Sequence, residues 1–184
     1  MKHTQAITLL GVTLLFGCGE SEKPPPENPP EAERSTTCTM TVTGAIEGTA
    51  ACTRGSLVHA KRSNSFKFLL DALEGQALGF GVAALVMQPP QPGTFNGPTE
   101  KVSCGILVVD QDERRWYSEY DDRETGVSLR GSCTLTLTAI EPMNDGSVDF
   151  PSYWAWGTVH AHLLEVDGPE GESGPVDVVF DFSE

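Results

Sequence analysis

Apolar and polar residues alternate with a period of two in three separate stretches of the chain. Apolar side chains occupy the even positions of 38–43, the odd positions of 132–139 and the even positions of 176–182, while the intervening positions are mostly Thr or Asp. Successive side chains of a β-strand point to opposite faces of the sheet, so this pattern predicts strands with one buried and one solvated face. The stretch 102–109 is almost continuously apolar and predicts a strand in the middle of the structure.

Turn-forming residues separate these stretches. Clusters of Gly, Pro, Asn and Asp occur at 44–48, 89–93, 144–146 and 168–174. About eight or nine short strands at this spacing predict an all-β fold, an antiparallel β-sandwich or small barrel, formed by one domain over residues 37–184. The sequence LLDALEGQAL at 69–78 is ambiguous, because it could also form a short helix.

The first eighteen residues are typical of an export signal. Lys2 precedes an uncharged, mostly apolar run, Ala6 to Phe16, which is too short to span a bilayer. The run ends in Leu15-Phe16-Gly17-Cys18, which resembles the lipobox of bacterial lipoproteins. The resemblance implies a signal peptide over 1–17 and a membrane anchor of acyl chains, palmitate among them, on Cys18. The alternative is an ordinary secretory signal that is cleaved elsewhere.

The resemblance also bears on location. Gly19 stands where lipoproteins of the inner membrane often carry Asp, so the protein is expected in the bacterial cell envelope, at the outer membrane. Residues 18–36 hold five prolines and five glutamates and almost nothing apolar. This composition is typical of an extended linker that holds a domain away from the membrane, and the alternative is a Pro-rich peptide ligand.

The overall arrangement resembles a group of bacterial lipoproteins with a lipobox, a low-complexity spacer and an opening strand rich in Cys and Thr. The likeness lies in CTMTVTGAIEGTAAC at 38–52, PGTF at 92–95, SCTLTLTAIE at 132–141 and GPVDVVFDF at 174–182. The group has no established activity, so the resemblance implies only a β-sandwich-like fold and a location in the envelope.

Four cysteines remain once Cys18 is set aside, an even number that predicts two disulfides in an exported domain. Of the three pairings, we favour Cys38–Cys52, which a hairpin over Gly44 to Gly48 would bring together, and then Cys104–Cys133 by elimination. A four-cysteine zinc site is the alternative, but zinc ligands usually come in close pairs, and no close pair occurs here.

The chain carries 26 acidic and 12 basic residues, a net charge of −14, which argues against nucleic acid as a partner. This charge favours cationic partners or divalent ions. Asp110 to Glu113 begins like a calcium loop, but Arg114 stands where the third ligand belongs, so a solvated acidic turn is expected. No motif of a hydrolase, nucleotide-binding protein or metalloprotease occurs, and no catalytic residue or cofactor is predicted.

The most unusual segment is WAWGTVHAHLL at 154–164. As a strand, it places small apolar residues on one face and Trp154, Trp156, His160 and His162 on the other. Aromatic rings beside hydroxyl groups suit stacking on a sugar or another planar ligand. His160 and His162 could also hold a metal, with His59 as a third ligand. The alternatives are the opposite orientation, with both tryptophans packed in the core, and a plain surface without a ligand.

Three functions are consistent with these features. The first is a membrane-tethered, non-catalytic structural or interaction domain. The second is a module that binds a small ligand or glycan through the face of Trp154, Trp156, His160 and His162. The third is an exported hydrolase with a diffuse acidic site, which would need two carboxylates in a cleft.

Overall fold

The computed structural model describes residues 38–73, 75–124, 126–143, 147–166 and 174–183. The predicted signal peptide, Cys18 and the linker lie outside the described residues. Strands dominate the described part of the chain, which forms β1 (Cys38–Gly44), β2 (Gly48–Cys52), β3 (Ser56–Ala60), β4 (Ser65–Asp71), β5 (Gly79–Val86), β6 (Gly93–Gly97), β7 (Val102–Val109), β8 (Arg115–Tyr117), β9 (Glu119–Asp121), β10 (Ser128–Arg130), β11 (Ser132–Pro142), β12 (Ser152–Glu165) and β13 (Val176–Asp181).

The predicted all-β fold is confirmed, and its centre is the long strand β12. Eleven strands form one antiparallel sheet in the order β2-β1-β13-β12-β3-β4-β5-β7-β8, with β11 also paired to β12 and β6 paired to β11, while β9 and β10 pair separately. A further pairing joins β8 back to β12 at Leu164 and Glu165, so the strands β12-β3-β4-β5-β7-β8 form a closed ring. The sheet thereby wraps around one interior.

The predicted number of strands, eight or nine, is wrong, because thirteen occur in the described residues. Three of them, β8, β9 and β10, have only three residues each. A stretch of three residues is too short to display an alternating pattern, so sequence periodicity does not reveal it. The 69–78 segment is also clarified: Leu69 and Leu70 belong to β4, and no described residue of the segment is helical.

The core is built from the inward faces of the strands. In β1 and β13 the apolar positions predicted from alternation are buried, as in Met40, Val42, Val178 and Phe180. Aromatic rings link the strands across the interior, where Phe68 packs on Phe182 and Phe80 on Phe180. Trp116 is fully buried, and its indole N–H donates to the carbonyl oxygen of Gly174 at 3.1 Å. A buried indole N–H needs such a partner.

The alternation predicted for 132–139 holds only as far as Leu137, because β11 then contains a bulge. Leu137 pairs with Gly157, but the next pair is Ala139 with Trp156, so Thr138 is an extra residue. The extra residue moves Ala139 to the exposed face and turns Ile140 toward the core. Gly157 has a φ of 153° at this point, which favours glycine.

Both predicted disulfides are present. Cys38 and Cys52 are directly opposite each other on β1 and β2, with Cα atoms 4.9 Å apart. Cys104 on β7 bonds to Cys133 on β11, with Cα atoms 6.4 Å apart. All four side chains are buried. Among the described residues, none belongs to a helix long and apolar enough to cross a membrane.

Candidate functional site

We refer to the outward side of β12, formed by Trp154, Trp156, Thr158, His160 and His162, as the Trp–His face. The intervening small residues are buried, so the strand has the orientation in which the tryptophans point away from the core. Both indoles are half-buried, whereas His160 is exposed. The alternative in which the tryptophans form the core is therefore wrong, and Trp116 occupies an interior position instead.

Arg54 covers the two indoles. It lies in the short link between β2 and β3, and its guanidinium carbon is 4.4 Å from the ring centre of Trp154 and 4.9 Å from that of Trp156. The pairing of Trp154 with Ser56 brings this link beside β12, and the carbonyl of Gly55 accepts a hydrogen bond from the backbone N–H of Ala155. The negative face of an indole attracts a cation at this distance.

The guanidinium of Arg54 keeps unused hydrogen-bonding capacity. Its Nε is enclosed and has no hydrogen-bond partner. Two other arginines of the described residues form ion pairs: Arg114 contacts Asp110 at 2.6 Å and Arg130 contacts Asp121 at 2.7 Å. Arg54 thus differs from them in that aromatic rings, not a carboxylate, hold it.

The histidine end of the face adjoins two aspartates of β13. Nδ1 of His162 is 2.9 Å from a carboxylate oxygen of Asp177. Asp181 lies opposite Thr158. Hydrogen bonds from the hydroxyl and backbone N–H of Ser183 hold the pKa of Asp181 below its ordinary value, and the nearby charge of His160 adds to the effect. This end therefore combines imidazoles with carboxylates in an open setting.

Hydroxyl groups of β11 line the other side of the face. Ser132, Thr134 and Thr136 lie opposite His162, His160 and Thr158, respectively. The row continues onto β6, where the hydroxyl of Thr134 donates to the side-chain oxygen of Asn96 at 2.9 Å. The face is therefore bordered by groups that donate and accept hydrogen bonds.

The structure does not bring His59 to the predicted metal site. His59 lies on β3, next to the residue that pairs with Ser152 at the start of β12. Eight residues of extended strand separate Ser152 from His160, a distance of roughly 26 Å. Among the described residues, no group of three or more His, Cys, Asp or Glu side chains could hold a metal ion.

In the acidic turn at 110–114, the carboxylate of Asp110 bonds to other residues of the same turn. One carboxylate oxygen of Asp110 accepts hydrogen bonds from the backbone N–H groups of Asp112 and Arg114, and the other contacts the guanidinium of Arg114. An open cavity of about 260 Å³ lies between this turn and residues 46–49. The carboxylate that would serve as the first calcium ligand is thus already engaged.

Comparison with known proteins does not add a function. No family model, curated protein or solved structure matches the chain. The residues of the site are therefore the basis for inferring what the protein does.

Sequence reasoning missed Arg54, Asp177 and Asp181 as components of the site. A signal for Arg54 was present in the composition: residues 53–70 contain four Lys or Arg side chains and no carboxylate, in a chain with an excess of acidic residues. Asp177 and Asp181 could have been placed from the alternation in 176–182, which directs both away from the core.

Proposed function

We propose that the protein is an exported lipoprotein, anchored at the outer membrane through Cys18, whose β-domain is a non-catalytic interaction module. The observation that carries the proposal is the position of Cys18 directly after the apolar run and before the Pro/Glu-rich linker. The two buried disulfides support export, because such bonds form and persist in oxidising compartments. Two or three acyl chains on one residue are enough for stable attachment.

Metabolic labelling with an alkyne fatty acid in a Gram-negative host tests the anchor. We expect the full chain to incorporate the label and to fractionate with the outer membrane. Cys18→Ser should abolish labelling and leave the signal peptide attached, whereas the control Ser21→Ala should behave like the unmodified chain. Label retained in Cys18→Ser would contradict the proposal, as would an unlabelled parent chain that is released into the soluble fraction.

A second candidate function is glycan binding through the Trp–His face. The observation that favours it is that two half-exposed indoles lie in one row with two histidines, bordered by the hydroxyl groups of β11. Sugar rings bind to proteins through stacking on aromatic side chains and hydrogen bonds to their hydroxyl groups. The acidic surface of the domain, with 21 acidic and 9 basic residues from 37 to 184, keeps it in solvent, where such a ligand is accessible.

A glycan array probed with the chain secreted from residue 19 onward tests this second function. Binding to one class of glycan that is lost in Trp156→Ala, but kept in Leu85→Ala on the outward side of β5, would support it. Leu85 is a suitable control because it is a large exposed apolar residue on another part of the sheet. Signals unchanged by Trp156→Ala would place binding elsewhere and contradict the proposal.

A further inference from the structure

We infer that Arg54, held against Trp154 and Trp156, is an anion-recognising residue and that the ligand of the Trp–His face is a glycan containing uronic acid. This inference rests on the second proposed function, glycan binding at this face. It adds the chemical class of the sugar and assigns a binding role to a residue outside β12.

The geometry of the cluster places a cation beside the aromatic surface. The guanidinium lies 4.4 and 4.9 Å from the two ring centres, so a sugar that stacks on the exposed part of an indole has the guanidinium next to it. The planar fork of N–H donors on arginine matches a carboxylate, with two parallel hydrogen bonds. Stacking on two rings restricts the side chain, so little rotational freedom remains to be lost on binding.

Charged groups of both signs lie near the cluster. The backbone N–H of Asp71 donates to the hydroxyl of Thr53, next to Arg54, so any anionic ligand has to be recognised through the guanidinium itself. Lys67 is exposed on β4, and its register partner Val58 pairs in turn with Ser152 of β12. Glu141 lies opposite Trp154 on β11.

An extended ligand fits the face better than a small anion does. From Trp154 to His162 the strand covers eight residue steps, roughly 26 Å of extended chain. Beyond the Arg54 cluster the face carries Thr158 and the histidines, bordered by Ser132, Thr134 and Thr136 of β11. An oligosaccharide places hydroxyl groups along its whole length, so one uronate at Arg54 leaves neighbouring sugars beside these hydroxyl groups.

The test is a calorimetric titration of the chain secreted from residue 19 onward, in its oxidised form. Tetrasaccharides of galacturonate, of mannuronate and of alternating glucuronate and N-acetylglucosamine serve as acidic probes. The methyl ester of each probe has the same rings without the charge. We expect at least one acidic probe to bind the parent chain. The methyl ester of that probe should bind the parent chain about tenfold or more weakly, as loss of a charged hydrogen bond does. The acidic probe should bind Arg54→Gln more weakly by a similar factor.

The variants distinguish glycan binding at the Trp–His face from recognition of a uronate by Arg54. Arg54→Lys keeps the charge but loses the planar fork, and we expect it to bind more weakly than the parent chain. Lys101→Gln removes an exposed charge in the β6–β7 connection and should leave binding unchanged. If the acid and its ester bind the parent chain equally, and Trp156→Ala binds neither, the role of Arg54 is overturned. The proposal that this face binds glycans then still stands. If no acidic probe binds but neutral sugars bind on the array, the assignment of a uronate ligand is overturned. If no glycan of any kind binds, both the uronate assignment and the proposal of glycan binding are overturned.

Discussion

Cys104 on β7 and Cys133 on β11 are joined by a disulfide although their strands are not neighbours in the sheet. The bond therefore connects two parts of the structure that no backbone ladder joins directly. Cys38 and Cys52, in contrast, lie on adjacent strands that are already held together by hydrogen bonds. The two disulfides should for this reason contribute differently to stability.

Replacing both Cys104 and Cys133 by Ala should lower the free energy of unfolding more than replacing Cys38 and Cys52. The sequence separations are 29 and 14 residues, and loop-closure entropy then gives about 3.5 and about 3 kcal/mol, respectively. Loss of this cross-link between β7 and β11, two strands that no backbone ladder joins, adds to the first value. Urea unfolding followed by fluorescence measures the difference, and a larger loss for Cys38 and Cys52 would contradict this ranking.

Ser118 should be essential for stability despite being a small polar residue. Its side chain is fully buried, and its hydroxyl accepts a hydrogen bond from the N–H of Ile106 at 2.8 Å and donates to the carbonyl of Cys104. Ser118→Ala leaves both backbone groups without this partner, which should cost about 2–3 kcal/mol. Ser103→Ala, at an exposed position of β7, is the control and should stay within about 0.5 kcal/mol of the parent. Equal unfolding curves for the two variants would refute the role of Ser118.

Gly157 should not tolerate even a methyl group. A Cβ at this position would collide with the backbone carbonyl oxygen of Thr136, and the φ of 153° disfavours any other residue. Relief requires β11 and β12 to move apart at the bulge, so we expect Gly157→Ala to cost at least about 3 kcal/mol or to prevent folding. Gly105→Ala meets only an ordinary contact and serves as control. If Gly157→Ala has the same thermal stability as the parent chain, β11 and β12 do not approach each other as closely here as the structure shows.

Asp121 should titrate below the ordinary range of aspartate. Two hydrogen bonds from the guanidinium of Arg130, at 2.7 and 2.9 Å, lower its pKa, and a hydrogen bond from Ser128 and the charge of Arg123 add to this. Since the folded state binds this proton more weakly than the unfolded state, the contribution to stability is present above the unfolded pKa. It is lost as pH falls through the folded pKa.

Carboxyl NMR titration measures this effect directly. Arg130→Gln should move the pKa of Asp121 upward, toward its ordinary value, because both hydrogen bonds are removed. Arg123→Gln removes only a nearby charge and should produce a smaller upward movement. A downward movement, or a larger response to Arg123→Gln, would be inconsistent with the Asp121–Arg130 contact.

Alternation along the chain was sufficient to predict the all-β class, the buried faces of β1 and β13, and the outward direction of Trp154 and Trp156 in one of two orientations. These are properties of single strands, in which the period of two follows from backbone geometry. The pairing Cys38–Cys52 was also accessible, because a hairpin brings residues that are close in sequence together.

The tertiary structure decided the features that depend on distant residues. The extra residue at Thr138 changes which side of β11 faces the core, and nothing in the local pattern marks it. Arg54 reaches Trp154 and Trp156 across 100 positions of sequence because β3 pairs with the start of β12. His59, by contrast, lies beside the start of β12, far along that strand from His160. Periodicity reports the direction of a side chain within its strand, whereas strand pairing determines which side chains meet.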